Sequence, residues 1–208
     1  MASVTMGVDL GQRRDYSAIV VDHRGDDDTH RLRHIERPRL GTPYPKIIKR
    51  VIQIRERLEK RTGYTPSIFL DATGVGRPVV DEFQRKGITV NPVTITAGES
   101  ITEERVDGLT EIHVGKLALI SRLDVLLSAG RIEWDGSTKG GKLLTSELHR
   151  FQVKVSQSGT LQLEAERAAH DDLVIALALA VFRQPRASGL HTIEWSDIDR
   201  EGFRPWPQ

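Results

Sequence analysis

Short apolar runs alternate with turn-forming residues near the start of the chain and predict three β-strands. The runs cover 4–10, 17–22 and 31–37, and the second is rich in β-branched residues. The segment 23–26 between the last two runs has the composition of a turn. Strands this close together along a chain are typical of a β-meander, in which neighbouring strands run antiparallel.

Apolar residues then recur at the spacing of an amphipathic helix. This spacing runs through 47–58 and stops before Gly63, a residue typical of a helix C-terminus. The same spacing predicts helices over 116–128 and 142–151. The segment 171–182 predicts a helix of small apolar residues that can pack closely on a sheet.

The middle of the chain has a strand–helix–strand pattern. The strands are predicted at 67–70 and 88–95, with a helix near 78–86 between them. This order implies parallel pairing through a right-handed crossover. Together with the meander it predicts an α/β fold, in which helices flank a mixed sheet of antiparallel and parallel strands.

Two further segments are less regular. The polar and acidic stretch 96–108 predicts an excursion or flexible loop, and 152–165 predicts a hairpin that turns at Ser158-Gly159. We expect one domain over residues 1–183 and a C-terminal tail over 184–208, whose order the pattern leaves undecided.

The composition excludes several kinds of protein. A chain of 208 residues is long enough for one well-buried domain and short for two. It has no cysteine, which excludes disulfides and thiolate zinc sites, and a cytoplasmic setting fits this composition. No apolar run approaches the roughly 20 residues of a membrane span, so we expect no membrane association.

The net charge of +1 conceals an uneven distribution of basic residues, which are concentrated in the first third of the chain. Such a region can bind phosphates, or it can be a solvated surface balanced by acids elsewhere, and the sequence leaves both interpretations open. The residues are Arg13, Arg14, Arg24, Arg31, Arg33, Arg37, Arg39, Lys46, Lys49, Arg50, Arg55, Arg57, Lys60 and Arg61.

Three aspartates lie where an apolar run meets a turn or a helix start: Asp9, Asp71 and Asp172. A carboxylate among buried apolar residues is costly unless it is paired or bound to a cation. A hard divalent metal held by oxygen ligands is the simplest shared explanation. Each aspartate also has a simpler interpretation, as a turn residue, a helix cap or an acid at a helix N-terminus.

The segments around these aspartates resemble the nuclease domain of bacteriophage large terminase subunits, a branch of the RNase H-like superfamily. The order and spacing of these segments together are more specific than any single segment. The resemblance covers most of residues 4–182. The matching segments are Gly7-Val-Asp-Leu-Gly11, Asp15-Tyr-Ser-Ala18, Leu70-Asp-Ala-Thr-Gly-Val-Gly76, Val93-Thr-Ile-Thr96, Gly130-Arg-Ile132, Ser146-Glu-Leu-His-Arg-Phe151 and His170-Asp-Asp-Leu-Val-Ile-Ala-Leu-Ala178.

The resemblance implies a two-metal endonuclease that cuts concatemeric viral double-stranded DNA during genome packaging. Asp9 matches the acid that bridges both ions, Asp71 the acid of the second strand, and Asp172 the acid of the final helix. Asp171 is a lesser candidate ligand. Two Mg²⁺ or Mn²⁺ ions would suit carboxylate and water ligands.

Other residues are assigned weaker roles. Asp15 and His170 could support the metal ligands, although a turn role for Asp15 and a capping or surface role for His170 are also open. Arg13, Arg14 and Lys116 could contact DNA phosphates, or belong to the solvated surface. No role is predicted for Glu147 and Glu164.

The resemblance also implies partners, namely a packaging ATPase motor, the portal and the small terminase subunit, in the cytoplasm of an infected host. No motor is recognisable in this sequence, so we expect an excised domain or a separately encoded nuclease. The segment 136–142 nearly matches a phosphate-binding loop, but Leu143 stands where a Ser or Thr hydroxyl is needed.

Three alternative functions remain. The segments Gly7-Val-Asp-Leu-Gly11 and 17–25 also resemble the first phosphate loop of ATP-binding domains of the actin and hexokinase type. The same RNase H-like fold could also serve as a non-catalytic DNA-binding or packaging module. The third alternative is a resolvase-type nuclease acting on branched DNA.

Overall fold

The computed structural model shows the chain folded around a single large sheet. It describes residues 3–11, 15–74, 77–106, 108–155, 161–165 and 170–182, and of 152–155 and 161–165 only the backbone. The predicted tail over 184–208 and the turn at Ser158-Gly159 lie outside the described residues.

Eight strands form the sheet, in the order β6-β7-β5-β4-β1-β2-β3-β8. The first three pair antiparallel as the predicted meander, β4, β5 and β7 extend the sheet in parallel with β1, and β6 is antiparallel at one edge. The strands are β1 (Ser3–Asp9), β2 (Ala18–Arg24), β3 (His30–Glu36), β4 (Ser67–Asp71), β5 (Asn91–Thr96), β6 (Ile101–Val106), β7 (Leu109–Gly115) and β8 (Ile132–Glu133).

In the part of the chain that the structure describes, five helices cover the sheet on both faces. They are α1 (Tyr44–Thr62), α2 (Arg77–Arg85), α3 (Lys116–Ser128), α4 (Lys139–Arg150) and α5 (Asp172–Phe182). A separate two-stranded hairpin of β9 (Phe151–Val155) and β10 (Leu161–Ala165) agrees with the predicted pairing. Among the described helices, none combines the length and apolar character that a bilayer crossing requires.

The apolar residues divide into two cores, one on each face of the sheet. One core packs α1 and α2 against the sheet, and the other packs α3, α4 and α5 against the opposite face. Strand β1 contributes Val4, Met6 and Val8 to the first core. Because side chains alternate along a strand, Asp9 projects towards the face that α5 covers.

Helix α5 packs directly on β1 at Gly7. A Cβ atom added to Gly7 would lie 1.9 Å from the carbonyl oxygen of Ala176 and 2.6 Å from the nitrogen of Ala180. All residues of α5 are buried. The small-residue helix predicted over 171–182 therefore does pack closely on a sheet, and its first turn lies beside the end of β1.

The prediction of an excursion or loop over 96–108 was wrong. Residues Ile101–Val106 form the edge strand β6, which pairs with β7. Five of the six side chains of β6 are exposed, so the strand lacks the apolar alternation that identifies a strand in a sequence. Its place in the sheet comes from backbone pairing with a neighbour.

Candidate metal centre

Two parallel strands bring Asp9 and Asp71 to the same edge of the sheet. Val8 of β1 is opposite Leu70 of β4, and each aspartate is the next residue along its strand. Phe69, two residues before Asp71, belongs to the core beneath α5, so Asp71 projects towards the same face as Asp9. This edge is formed by the carboxyl ends of the parallel strands, where open α/β sheets bind ligands.

Helix α5 supplies two more carboxylates at its N-terminus. Asp172 is the first residue of the helix, and its exposure is only 4%. Asp171 directly precedes the helix. The carbonyl oxygen of Asp171 accepts a hydrogen bond from the backbone N–H of Ile175, which places Asp171 at the N-cap of the helix.

These carboxylates line one pocket of about 310 Å³. Asp9, Asp71, Asp171 and Asp172 therefore converge, and the side chains of Asp15 and Lys116 are also at its wall. The remaining lining residues are Leu10, Gly11, Thr73, Gly74, Ile95 and Ile175.

Burial and mutual repulsion raise the pKa values of the central carboxyl groups. Desolvation is the larger cause for Asp9, and the neighbouring charges of Asp71 and Asp172 raise its pKa further. Desolvation also raises the pKa of Asp71, and it raises the pKa of Asp172 to about 6. In the absence of a cation, each ionised carboxylate makes the next one more costly.

Two local contacts offset part of this cost. The Lys116 ammonium is 3.0 Å from Asp171 Oδ2, and it lowers the pKa of Asp71. Asp71 Oδ1 accepts a hydrogen bond of 2.8 Å from the backbone N–H of Thr73. Lys116 is the first residue of α3, so the end of strand β7 directs its charge towards the carboxylates.

The donor set fits a hard divalent cation. All the acidic side chains of the pocket present oxygen, and Asp172 Oδ2 is buried with no hydrogen-bond partner among the described residues. Within those residues, no three His, Cys, Asp or Glu side chains are already grouped to hold an ion. An ion bound among the carboxylates would remove their mutual repulsion.

A second layer of side chains lies against Asp172. The His170 Nδ1 atom is 3.7 Å from Asp172 Oδ2, beyond hydrogen-bonding distance. The His170 ring meets the Tyr16 ring edge-on with centroids 4.7 Å apart, and the Arg37 guanidinium lies 4.5 Å from the centroid of Tyr16. His170 is thus beside the carboxylate cluster, as its predicted supporting role would require.

Glu147, to which the sequence analysis assigned no role, is buried next to this layer. Its Oε1 atom is 2.5 Å from Arg37 Nη1, and its Oε2 atom accepts a hydrogen bond of 2.9 Å from the backbone N–H of Leu173. Glu147 lies on the same buried face of α4 as Gly141 and Leu144. An acid on a buried helix face is unusual, and this was the signal in the sequence that could have identified Glu147.

Several described basic residues of the first third form ion pairs. Arg31 pairs with Asp27, and the buried Arg50 donates to both carboxylate oxygens of Glu36. The Arg31 pair fits a surface balanced by acids, whereas the Arg50 pair is internal to the fold. Arg13 and Arg14 lie outside the described residues.

The segment that resembles a phosphate loop is used to start α4. The Thr138 side chain caps the helix by accepting a hydrogen bond of 3.0 Å from the backbone N–H of Gly141. Gly140 packs against the backbone of Ile35, where an added Cβ would lie 2.1 Å from the carbonyl oxygen. These contacts explain why glycines occupy this segment, and they do not indicate a nucleotide site.

Solved structures share this arrangement of strands and helices. The large terminase nuclease of the thermophilic phage G20c matches with a TM-score of 0.64 and 24% identity, covering 88% of this chain and 83% of that chain. The chain has the fold of a large-terminase nuclease domain. The G20c nuclease with bound magnesium matches with a TM-score of 0.61 and 25% identity, over 86% of this chain and 80% of that one. The predicted RNase H-like mixed sheet is confirmed.

Sequence comparison leads to the same terminase relatives. The terminase large subunits of Thermus phage G20c and Thermus virus P23-45 are each 27% identical over 175 residues, which is 84% of this chain. The match covers 30% of the length of either relative. No protein-family model matches the chain. The predicted resemblance to large terminase subunits is confirmed.

Proposed function

We propose that this chain is a metal-dependent endonuclease that cleaves double-stranded viral DNA during genome packaging. The observation that carries the proposal is the convergence of Asp9, Asp71, Asp171 and Asp172 in one pocket of a terminase-nuclease fold. The G20c nuclease has been solved with magnesium and with cobalt bound, which supports a divalent cation.

Three carboxylates are the proposed metal ligands. Asp9 is the proposed shared ligand of two ions, with Asp71 and Asp172 as the ligands from β4 and α5, and Asp171 as a lesser candidate. A bound pair of Mg²⁺ or Mn²⁺ ions would activate a water molecule and stabilise the leaving oxygen of an in-line phosphodiester displacement.

The residues of the chain explain why cleavage would depend on a cation. The clustered carboxylates create a strongly negative pocket that repels a phosphodiester unless positive charge is added. Lys116 supplies one positive charge at the wall and already pairs with Asp171. With the carboxylates neutralised by ions, its ammonium could instead contact a DNA phosphate. Asp15 and His170 would support the site from its border.

The partners of the chain follow from the same proposal. The likeness to terminase large subunits supports the proposal that the chain acts together with a packaging motor, the portal and a small terminase subunit. This activity would take place in the cytoplasm of an infected host.

Cleavage of supercoiled plasmid DNA tests the proposal. We expect nicked and linear products with Mn²⁺ or Mg²⁺, none with EDTA, and none from Asp172→Asn. Asp124→Asn, a change at an exposed position on α3, is the matched control and should cut like the unmodified chain.

Undiminished cutting by Asp172→Asn would overturn the site assignment. DNA binding without cutting under any divalent metal would favour a non-catalytic packaging module. Preferential cutting of four-way junctions over plasmid DNA would favour the resolvase-type nuclease.

A further inference from the structure

Glu147 joins helix α4 to the first turn of α5. Its side chain is almost fully buried, at 7% exposure, yet it projects from a helix whose other buried residues are apolar or glycine. Its Oε2 atom accepts the Leu173 backbone N–H, at the residue that directly follows Asp172. The N–H groups of a first helical turn have no partner within their own helix, so an external acceptor fixes how that turn is oriented.

Arg37 holds Glu147 in this position. The guanidinium donates to Glu147 Oε1, and its central carbon lies over the ring of Tyr16, 4.5 Å from the centroid. Tyr16 in turn meets the ring of His170, two residues before Asp172. Contacts therefore hold the chain on both sides of Asp172, at Leu173 directly after it and at His170 two residues before it.

Glu147 is not arranged as a metal ligand itself. Glu147 does not line the pocket, and its two oxygens already accept hydrogen bonds from Arg37 and the Leu173 N–H, whereas Asp172 Oδ2 has no such partner among the described residues. The two acids therefore differ in role although they are neighbours. Burial raises the pKa of Glu147 to about 7, and the charge of Asp172 raises it as well.

We propose that Glu147, held by Arg37, is a positioning residue that orients the Asp172 carboxylate towards the pocket. This inference rests on the proposed function, because it assigns Glu147 to the support of a metal ligand. Partners that orient a ligand without touching the ion typically change metal affinity by about 10–100-fold when they are removed.

Mn²⁺ binding without DNA provides the test, by isothermal titration calorimetry and by the electron paramagnetic resonance spectrum of the bound ion. We expect Glu147→Ala to weaken Mn²⁺ binding by about 10–100-fold and to change the spectrum. Glu147→Gln keeps an acceptor of the same reach for the Leu173 N–H, so it should bind Mn²⁺ more tightly than Glu147→Ala. A role limited to folding would lower stability and leave the spectrum of the bound ion unchanged.

Glu82→Ala is the matched control, since Glu82 is also a helical acid paired with an arginine, and it does not line the pocket. It should bind Mn²⁺ normally. If Glu147→Ala does not fold, Glu147→Asp decides the question, because a side chain one methylene shorter cannot reach both Arg37 and the Leu173 N–H. We expect weakened Mn²⁺ binding from that variant too.

Normal Mn²⁺ affinity and an unchanged spectrum in the folded Glu147 variants would overturn this inference alone. The proposed function would then stand, provided that the unmodified chain cuts DNA and Asp172→Asn does not. Absence of Mn²⁺ binding by the unmodified chain would overturn both.

Discussion

At the scale of single residues, the pocket concentrates negative charge in a partly desolvated space. Asp9, Asp71 and Asp172 all have raised pKa values, with burial as the largest cause. Because these groups favour the protonated form in the folded chain, their ionisation destabilises the metal-free fold near neutral pH. The carboxylates are therefore suited to binding cations. The same burial and repulsion lower the stability of the metal-free fold.

Replacing one of these carboxylates by a neutral amide should raise the stability of the metal-free fold and weaken metal binding. We expect Asp172→Asn to raise the free energy of unfolding in EDTA at pH 8 by about 1–2 kcal/mol, after discounting for solvent screening. The same variant should lose most of the stabilisation that Mn²⁺ gives the unmodified chain. Urea unfolding monitored by circular dichroism, with and without Mn²⁺, measures both effects.

Asp124→Asn should change neither quantity, because Asp124 is exposed. A metal-free Asp172→Asn that is less stable than the unmodified chain would show that the carboxylate is stabilised by its surroundings, contrary to this explanation.

At the scale of elements, the close packing of α5 on β1 places the final acid beside the first. The contact at Gly7 leaves no space for a side chain, and the facing residues of α5 are Ala176 and Ala180. The helix therefore approaches the strand backbone directly. Its first residue, Asp172, reaches the pocket at the end of the same strand.

Gly7→Ala should displace this helix. The added methyl group would overlap the Ala176 carbonyl, and we expect a loss of about 1–3 kcal/mol in the free energy of unfolding. Because the shift would move Asp172, Mn²⁺ affinity should also fall in the fraction that remains folded. Urea unfolding and calorimetric titration measure the two effects.

Gly136→Ala is a suitable control, since a Cβ at that position meets no atom within 4 Å. We expect that variant to keep both stability and Mn²⁺ binding. A Gly7→Ala chain as stable as the control would contradict the packing argument.

At the scale of the whole molecule, metal binding, folding and pH should be linked. A group whose pKa is raised on folding stabilises the fold below its unfolded pKa and loses that contribution as pH rises through the folded value. For Asp172 this loss extends from its ordinary pKa of 3.8 up to about pH 6, and for Glu147, whose burial raises the pKa to about 7, from 4.5 up to about pH 7. A divalent cation binds the ionised carboxylates, so its binding becomes stronger as pH rises.

Stabilisation by Mn²⁺ should therefore increase with pH. We expect a larger increase in the midpoint of thermal unfolding on adding Mn²⁺ at pH 8 than at pH 5, where protons compete for Asp9 and Asp172. Differential scanning calorimetry at matched ionic strength measures this. Equal increases at both pH values would indicate that Mn²⁺ binds away from these carboxylates.

Local patterns were sufficient for most of the site. Asp9, Asp71 and Asp172 each follow or begin an apolar run, and Lys116 begins a helix, so each could be placed on an element from nearby residues alone. Glu147 could not, because its two partners, Arg37 and Leu173, are distant in sequence. The edge strand Ile101–Val106 was missed for a different reason: its partner β7 follows directly in the chain, but the exposed side chains of β6 carry no apolar alternation.

The sequence by itself determined most of the segments that become strands and helices, with the edge strand β6 as an exception, and where the acids lie on them, because periodicity and capping act over a few residues. Tertiary structure alone decided that four of these acids share one pocket and that Glu147 and Arg37 support the last of them. The physical reason is that strand register and the approach of α5 at Gly7 depend on contacts between distant segments. Backbone pairing and close packing bring like charges together at a cost that a bound cation would remove.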